Sequence, residues 1–359
     1  MTDQNAPIVI TALGAITPVG ATAEQSCAAI AAGIARFNEH AYYQCTPEDP
    51  EWDAPLPLFV SDVPVLDPFL DGPERLLQLA LPALSEVMAK SKLKRRDLEQ
   101  CGLMLSLPQA DAATAPLNLS TEFVPALCKL TGLTTFKLWK TSQAGHTGVF
   151  TLVQSALQKL KAGDVDLCIV GGVESYLLEA RLDALDTAWR LRSERTVDGF
   201  IPGEAAVMFL LETAAHAQAR GAPILATLHA LGDATEAETI QSQKNSTGDG
   251  LTQAIETALQ TPQAPPGMDT VYGSLNGESY YAFEWGVTLT RLHAALSGMQ
   301  PLVHPADAVG DTGAATGGLL LACATEAFKK HPEAHAASLL WTSADNGHRM
   351  ALTLKKGEG

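Results

Sequence analysis

The sequence lacks the cysteine and histidine spacings that mark metal and redox sites. Its six cysteines are scattered, and no CxxC pair or zinc-type His/Cys spacing occurs. A G-x-G-x-x-G motif is also missing after the first predicted strand, residues 8–13, which disfavours a dinucleotide enzyme. We therefore predict no metal and no cofactor, and interpret the cysteines as reduced, mostly buried thiols of a cytoplasmic protein.

Long apolar runs and basic residues are scarce as well. No uncharged apolar stretch reaches about 18 residues, and the N-terminal residues do not form a signal peptide. The chain has 24 Lys and Arg against 40 Asp and Glu, a net charge of −16. Because such a surface repels phosphate backbones, we expect no nucleic-acid partner and no membrane span.

Short apolar segments are abundant, and strand-like and helix-like patterns alternate along the chain. The predicted strands cover residues 8–13, 101–107, 135–138, 165–170, 205–211, 224–231, 270–275, 338–341 and 350–354. The predicted helices cover residues 22–31, 73–90, 94–100, 147–161, 214–220, 250–259, 283–296 and 319–328. Residues 36–72 are interpreted as irregular, and 262–267 as a proline-rich connector. Because the strands are apolar on both faces, the pattern predicts an α/β fold with covered sheets.

The second half of the sequence repeats features of the first. The order of elements starts again near residue 222, so we predict two halves, residues 1–221 and 222–359. A GxTG motif occurs at 145–148 and again at 310–313, with Thr151 and Thr316 following. In this repeat His146 corresponds to Asp311, and a duplicated fold would bring the two helix starts together.

Several segments resemble the β-ketoacyl-acyl-carrier-protein synthases, which have the thiolase-type fold. The similar segments are 7–20, AGDVDLCIVGGVE at 162–174, DGFIPGE at 198–204 and HAQARG at 216–221. The resemblance implies a duplicated, five-layered αβαβα architecture and acyl chains bound to a carrier protein as substrates. It also implies a dimer, either of identical chains or with a related synthase, and a role in fatty acid or polyketide biosynthesis.

The resemblance also implies where a synthase would keep its Cys-His-His catalytic residues. Counting back from Gly163 places the nucleophile position on His146, while the two histidine positions read Asn276 and Asp311. Ser142 is a hydroxyl in the same segment as His146. The family's glycine-rich gate near the C-terminus is replaced by residues 343–348.

These replacements change the chemistry that the site can perform. An acyl-imidazole on His146 would hydrolyse readily, and an ionised Asp311 would repel the enolate formed when a malonyl unit loses CO2. We therefore predict no condensing activity, although the fold is that of a condensing acyltransferase, and whether the protein is an enzyme is left open.

Three functions are compatible with the sequence. The first is a non-catalytic partner subunit, similar to the chain-length factors. The second is an acyl thioester hydrolase or transferase that uses His146 and Asp311 with Asn276 or Ser142. The third is an adaptor or chaperone-like accessory protein with no acyl ligand. An open tunnel to His146 would favour chemistry, whereas a pocket filled by Tyr280, Tyr281 or Phe283 would favour a scaffold.

Overall fold

The computed structural model describes residues 6–49, 51–260, 268–299 and 302–357, so the predicted connector at 262–267 lies outside the described residues. Eleven strands occur in these parts: β1 (Ile8–Ile16), β2 (Asn38–Cys45), β3 (Leu56–Val60), β4 (Cys101–Ser106), β5 (Leu138–Ser142), β6 (Leu167–Ser175), β7 (Glu204–Thr213), β8 (Ala226–Thr235), β9 (Thr270–Gly273), β10 (Ala337–Ser343) and β11 (His348–Lys356). Eleven α-helices accompany them: α1 (Ala23–Ala31), α2 (Gly72–Ser91), α3 (Leu119–Thr131), α4 (Gly148–Ala162), α5 (Glu179–Thr187), α6 (Ala214–Ala219), α7 (Asp249–Gln260), α8 (Ser279–Arg291), α9 (His293–Leu296), α10 (Ala306–Val309) and α11 (Thr316–Lys330).

Nine of these strands form one sheet in the order β5-β4-β6-β7-β1-β8-β11-β10-β9, and β2 pairs with β3 in a separate hairpin. Strand β4 is parallel to β5 and β6, and β9 is parallel to β10. The other neighbours in the large sheet are antiparallel. A short pairing of β1 with β8 joins the two parts of the sheet.

The helices divide the molecule into five layers. Helices α2 and α3 pack on the outer face of the first part of the sheet, and α7 packs on the outer face of the second part. Helices α4 and α11 lie between the two parts, where Phe150 and Phe328 are completely buried. The predicted α/β fold with an αβαβα arrangement is therefore confirmed.

Helix α4 shows why the local sequence folds as it does. Its apolar residues recur every three or four positions, so one stripe, including Leu152, Ala156 and Leu160, is buried. The helix ends at Gly163, which has φ = 73° and accommodates the left-handed conformation without a Cβ penalty. A short 3-10 turn, Gly145–Thr147, precedes the helix and carries His146.

Several predicted elements need correction. Residues 36–72 are not irregular throughout, because 38–45 and 56–60 form the β2–β3 hairpin. Helices α3 and α5 were not predicted from the sequence. The strand predicted at 135–138 lies at Leu138–Ser142. The helix predicted at 283–296 is divided into α8 and α9.

The motif repeat also needs a correction of register. Gly145 is the first residue of the 3-10 turn before α4, and Gly313 has the same place before α11. Both have positive φ, 58° and 40°. His146 and Asp311 are therefore not equivalent positions, since Asp311 precedes its turn while His146 lies within one. The boundary between the halves at residues 221 and 222 falls between α6 and β8 and stays a prediction.

Candidate functional site

Three of the four predicted site residues come together. His146 Nε2 lies 2.7 Å from Asp311 Oδ1, and Asn276 Nδ2 donates to Asp311 Oδ2 at 2.8 Å. Each residue reaches the site from a different element: the turn before α4, the loop after β9, and the segment between α10 and α11. The structure thus places the nucleophile position and the two histidine positions of the resemblance in one cluster.

Backbone contacts hold Asp311 in place. Its N–H donates to Ile201 O at 2.8 Å, and its carbonyl accepts from Gly203 N at 2.9 Å. Gly313 N donates to the Asp311 carboxylate at 2.8 Å. The DGFIPGE segment at 198–204 therefore positions Asp311 through its backbone, which is a structural role for that motif.

Position 313 needs a glycine for two reasons, its positive φ and its close packing against Glu174. Its φ is 40°, and a Cβ built on it would lie 2.3 Å from Glu174 Oε2. Glu174 is completely buried, accepts from Ala314 N at 2.9 Å, and forms an ion pair with Arg181. A second buried ion pair thus lies directly beneath the turn that follows Asp311.

His146 and Asp311 form an ion pair. Burial would lower the pKa of His146, but the charge of Asp311 and its hydrogen bond outweigh burial and raise that pKa above the ordinary value. Burial would likewise raise the pKa of Asp311, but His146 and the hydrogen bonds from Asn276 and Gly313 lower it. The pair therefore favours the charged imidazolium over the neutral imidazole that a general base requires.

A second ionic cluster adjoins this pair. Asn276 Nδ2 also donates to Glu278 Oε2 at 2.9 Å. Arg190 binds both oxygens of Glu278, at 2.7 and 2.6 Å, and also pairs with Asp345. Tyr281 donates its hydroxyl to Asp345. A continuous chain of polar contacts therefore runs from His146 to Tyr281.

The acid–base properties of this second cluster follow from Arg190. Burial would raise the pKa of Asp345, but the guanidinium of Arg190 holds it down at about 2. The pKa of Glu278 is raised, because burial outweighs the effect of the same guanidinium. Asp345 is therefore a permanent anion at neutral pH, and Arg190 compensates its charge.

Little space is left at the site. His146 is 3% exposed, Asp311 2% and Asn276 9%. The cavity that borders Asn276 and Asp311 has a volume of about 10 Å³, at the lower limit for one water molecule. Tyr281 is buried beside the cluster, whereas Phe283 is 46% exposed. Of the side chains expected to fill a closed pocket, only Tyr281 is both buried and linked to the polar contacts of Arg190, through Asp345.

Ser142 is not part of this arrangement. It lies at the end of β5, and its carbonyl accepts from Leu107 N at 2.8 Å. Among the described residues, no hydrogen bond joins its hydroxyl to His146, Asn276 or Asp311. The same parts of the chain contain no group of three or more His, Cys, Asp or Glu side chains that could hold a metal ion. They also contain no helix long and apolar enough to cross a membrane.

The sequence reasoning missed Arg190 and did not assign a role to Asp345. A signal existed for Asp345, which lies in the segment 343–348 that replaces the glycine-rich gate. For Arg190 the only local sign is structural: the preceding residue, Trp189, has φ = 57°, a strained conformation for a residue with a side chain. Arg190 is 88 positions from Glu278 and 155 positions from Asp345, so no local sequence pattern reveals these ion pairs.

Comparison with known proteins agrees with this fold. Residues 141–217 match the family described as "Beta-ketoacyl synthase, N-terminal domain". The 3-oxoacyl-[acyl-carrier-protein] synthase 2 of Staphylococcus aureus strain N315 is 24% identical over 308 residues, covering 77% of this chain and 74% of that protein. The synthase 2 of Mycobacterium bovis is 29% identical over 181 residues, which cover 46% of this chain and 42% of that protein.

Solved structures show the same fold over nearly the whole chain. One is a complex of a type II polyketide synthase acyl-carrier protein with its ketosynthase, AntDE:AntF, with a TM-score of 0.81 and 17% identity, covering 98% of this chain and 100% of that one. Another is the ishigamide ketosynthase/chain length factor, with a TM-score of 0.75 and 18% identity over the same shares of both chains. The protein is thus a β-ketoacyl-synthase-like protein with the thiolase-type fold.

Proposed function

We propose that this protein is a non-condensing, β-ketoacyl-synthase-like subunit that works as the partner of a related synthase, in the manner of a chain-length factor. The observation that carries the proposal is the state of the nucleophile position. His146 is buried and bound to Asp311 at 2.7 Å, and the cavity that borders Asn276 and Asp311 has a volume of about 10 Å³. The likeness to a ketosynthase/chain length factor structure supports the same function.

Condensation needs groups that this site does not provide. A synthase must hold the acyl chain as a thioester, and the matched position offers an imidazole whose Nε2 is bound to Asp311. It must also stabilise an enolate, but Asp311 presents a buried negative charge where donors are needed.

The same features weigh against a thioester hydrolase or transferase. The raised pKa of His146 disfavours the neutral form that a general base needs, and among the described residues no hydrogen bond joins Ser142 to it. This alternative function nevertheless has its own test, which is hydrolysis of acyl-carrier-protein thioesters. An adaptor without any acyl ligand is the third function, and it differs from the first in the identity of the partner.

One edge of the sheet supports a partner role. Strand β5 ends the sheet and pairs with β4 alone, whereas the opposite end strand, β9, is covered by a bridge between Tyr272 and Val303. Trp139 in β5 is 44% exposed. An exposed edge strand with a large apolar side chain is suited to pairing with another chain. We propose that a second chain, either a related synthase or an identical subunit, pairs there.

The test combines an activity assay with co-purification. The purified protein is incubated with acyl- and malonyl-carrier protein, and ketoacyl product and free fatty acid are both measured. We expect neither product, and stoichiometric co-purification with a co-expressed synthase of the same organism. Ketoacyl product would overturn the proposal, and free acid lost in His146→Gln would favour the hydrolase. Recovery of an unrelated client, and of no synthase, would favour the adaptor.

A further inference from the structure

A pocket lies at the end of the central sheet that is remote from His146. Its volume is about 600 Å³, within the range of small-molecule sites. It is bordered by the end of α2, by Leu167 at the start of β6 and by Arg220 after α6. Strand β6 runs from there to Glu174, which contacts the turn after Asp311. Seven residues of strand, about 23 Å, therefore separate this pocket from the site described above.

The lining of this pocket is basic, although the protein is acidic. The chain has 24 Lys and Arg residues and 40 Asp and Glu residues. Five of the basic residues line the pocket, but only two of the acidic residues do. The basic residues are Lys90, Lys92, Lys94, Arg96 and Arg220, and the acidic residues are Asp97 and Asp166. The pocket is therefore a local concentration of positive charge.

Two of these cations have no counterion in the protein. Among the described residues, neither Lys92 nor Lys94 forms an ion pair, and both residues are exposed. Arg96 lies 3.7 Å from the carboxylate of its neighbour Asp97, and its side chain is 77% exposed. Because an exposed ion pair of this kind is weak, all three cations are available to bind an anion.

One wall of the pocket is held in place by buried contacts. Arg220 forms an ion pair with Glu212, which is completely buried, and its guanidinium also donates to the carbonyl of Ser91 at 2.9 Å. Ser91 is the last residue of α2 and directly precedes Lys92. This contact fixes the end of α2 against the segment after α6, so the pocket is formed before any ligand binds.

We propose that this pocket binds a small molecule that carries a diphosphate group. A diphosphate presents several negative charges and acceptor oxygens in a compact group, so Lys92, Lys94 and Arg96 can bind it together. The apolar side chains of Leu93 and Pro223 also line the pocket and can contact an organic part of the ligand. No covalent step is involved, and the inference does not depend on the function proposed above.

The size of the ligand follows from the charge of the whole protein. A membrane or another large anionic surface would also meet the acidic remainder of a chain with a net charge of −16. A small ligand inside the pocket interacts mainly with charges within about one Debye length, roughly 8–10 Å, where the lysines and arginines lie. The charge distribution therefore favours a small anion over an extended one.

Inorganic pyrophosphate is the probe for this site. Its binding to the full-length protein is measured by isothermal titration calorimetry at low salt. We expect a dissociation constant below about 1 mM, and at least tenfold weaker binding of orthophosphate, which is smaller and reaches fewer of the cations. Equal binding of the two anions, or no binding of pyrophosphate up to about 10 mM, would refute the proposal.

Charge variants locate the binding. Lys92→Gln/Lys94→Gln removes the two free ammonium groups and should weaken pyrophosphate binding at least tenfold. Lys329→Gln/Lys330→Gln removes the same charge from the exposed end of α11, outside the pocket, and is the matched control. Asp166→Asn removes a negative charge from the pocket and should strengthen binding. Equal weakening by the two double variants, or weaker binding in Asp166→Asn, would show that pyrophosphate does not bind in this pocket.

Vesicles distinguish a free ligand from a lipid headgroup. The protein is sedimented with phosphatidylglycerol vesicles at low salt, and we expect it to stay in solution because most of its surface is acidic. Sedimentation that is lost in Lys92→Gln/Lys94→Gln would assign these lysines to a membrane surface and contradict the proposal of a small ligand.

Discussion

His146 Nε2 and Asp311 Oδ1 lie 2.7 Å apart, although 165 positions separate the two residues in the chain. Both side chains are buried, and each shifts the pKa of the other toward its charged form. The pair joins the turn before α4 to the segment before α11, which are the two helices between the parts of the sheet. It therefore links the two segments that precede the central helices.

Removing His146 should destabilise the protein strongly. His146→Ala leaves the Asp311 carboxylate buried without its cation, and breaking a buried pair in this way costs about 3–5 kcal/mol. The free energy of unfolding from urea titrations measures the effect. His216→Ala is the matched control, because His216 also pairs with a glutamate at 2.7 Å but is 35% exposed and shares Glu212 with Arg220. Similar losses in the two variants would contradict the prediction.

The same pair should make stability depend on pH. Because the folded pKa of His146 is raised, its contribution is complete below about pH 6.5, the unfolded value, and is lost as pH rises through the folded pKa. Asp311 has a lowered folded pKa, so its contribution is present above about pH 3.9 and is lost as pH falls toward that folded value. Stability measured from pH 6.5 to 9 should fall by at most about 1.4 kcal/mol per pH unit from this histidine.

The double variant His146→Gln/Asp311→Asn is the reference for that measurement. It keeps polar side chains of similar size and removes both titrating groups. We expect its unfolding free energy to vary less between pH 6.5 and 9 than that of the unmodified protein. Parallel pH profiles for the two proteins would show that His146 is not a buried cation.

Arg190 should be at least as sensitive a position as His146. Arg190→Met leaves the carboxylates of Glu278 and Asp345 beside each other without a cation, so we expect a loss of about 3–5 kcal/mol in unfolding free energy. Arg291→Met is the control, because its ion pair with Asp249 lies on the surface and contributes about 0–1 kcal/mol. If Arg190→Met lost no more unfolding free energy than the control, the ionic cluster would not be what stabilises the closed site.

Restoring only the nucleophile should not restore condensation. His146→Cys supplies a thiol but leaves Asn276 and Asp311 in place, and Asp311 then lacks its cation. We expect no ketoacyl product and no covalent acyl-enzyme by mass spectrometry after incubation with acyl-carrier protein. Acylation of Cys at this position would show that carrier-bound chains reach the site and that the cavity opens in solution.

The exposed strand β5 should determine assembly with the partner chain. Trp139→Glu places a charge on the open edge, and we expect at least a tenfold weaker association with the co-expressed synthase or identical subunit, measured by light scattering and titration. Trp52→Glu is the matched control, since Trp52 is 81% exposed and lies between β2 and β3, away from that edge. Equal association of both variants would place the interface elsewhere.

Strand and helix patterns in the sequence were sufficient for the overall class of fold and for most elements of the central layers. Apolar segments such as Ile8–Leu13 and Leu167–Val170 are buried on both faces, so their composition alone identifies them. The β2–β3 hairpin and α5 were missed because their residues are only partly buried and carry a weak pattern. The motif repeat pointed to the correct pair of helices but gave a register that their starting turns do not share.

The sequence by itself determined the class of fold, because apolar strand and helix patterns are local, and the resemblance of its motifs predicts that His146, Asn276 and Asp311 stand at the three catalytic positions of a synthase. Only the tertiary structure decided that these side chains bind one another and that Arg190, Glu278 and Asp345 fill the adjoining space. Such contacts join residues far apart in the chain, and whether a buried group is charged depends on distances that no linear pattern encodes.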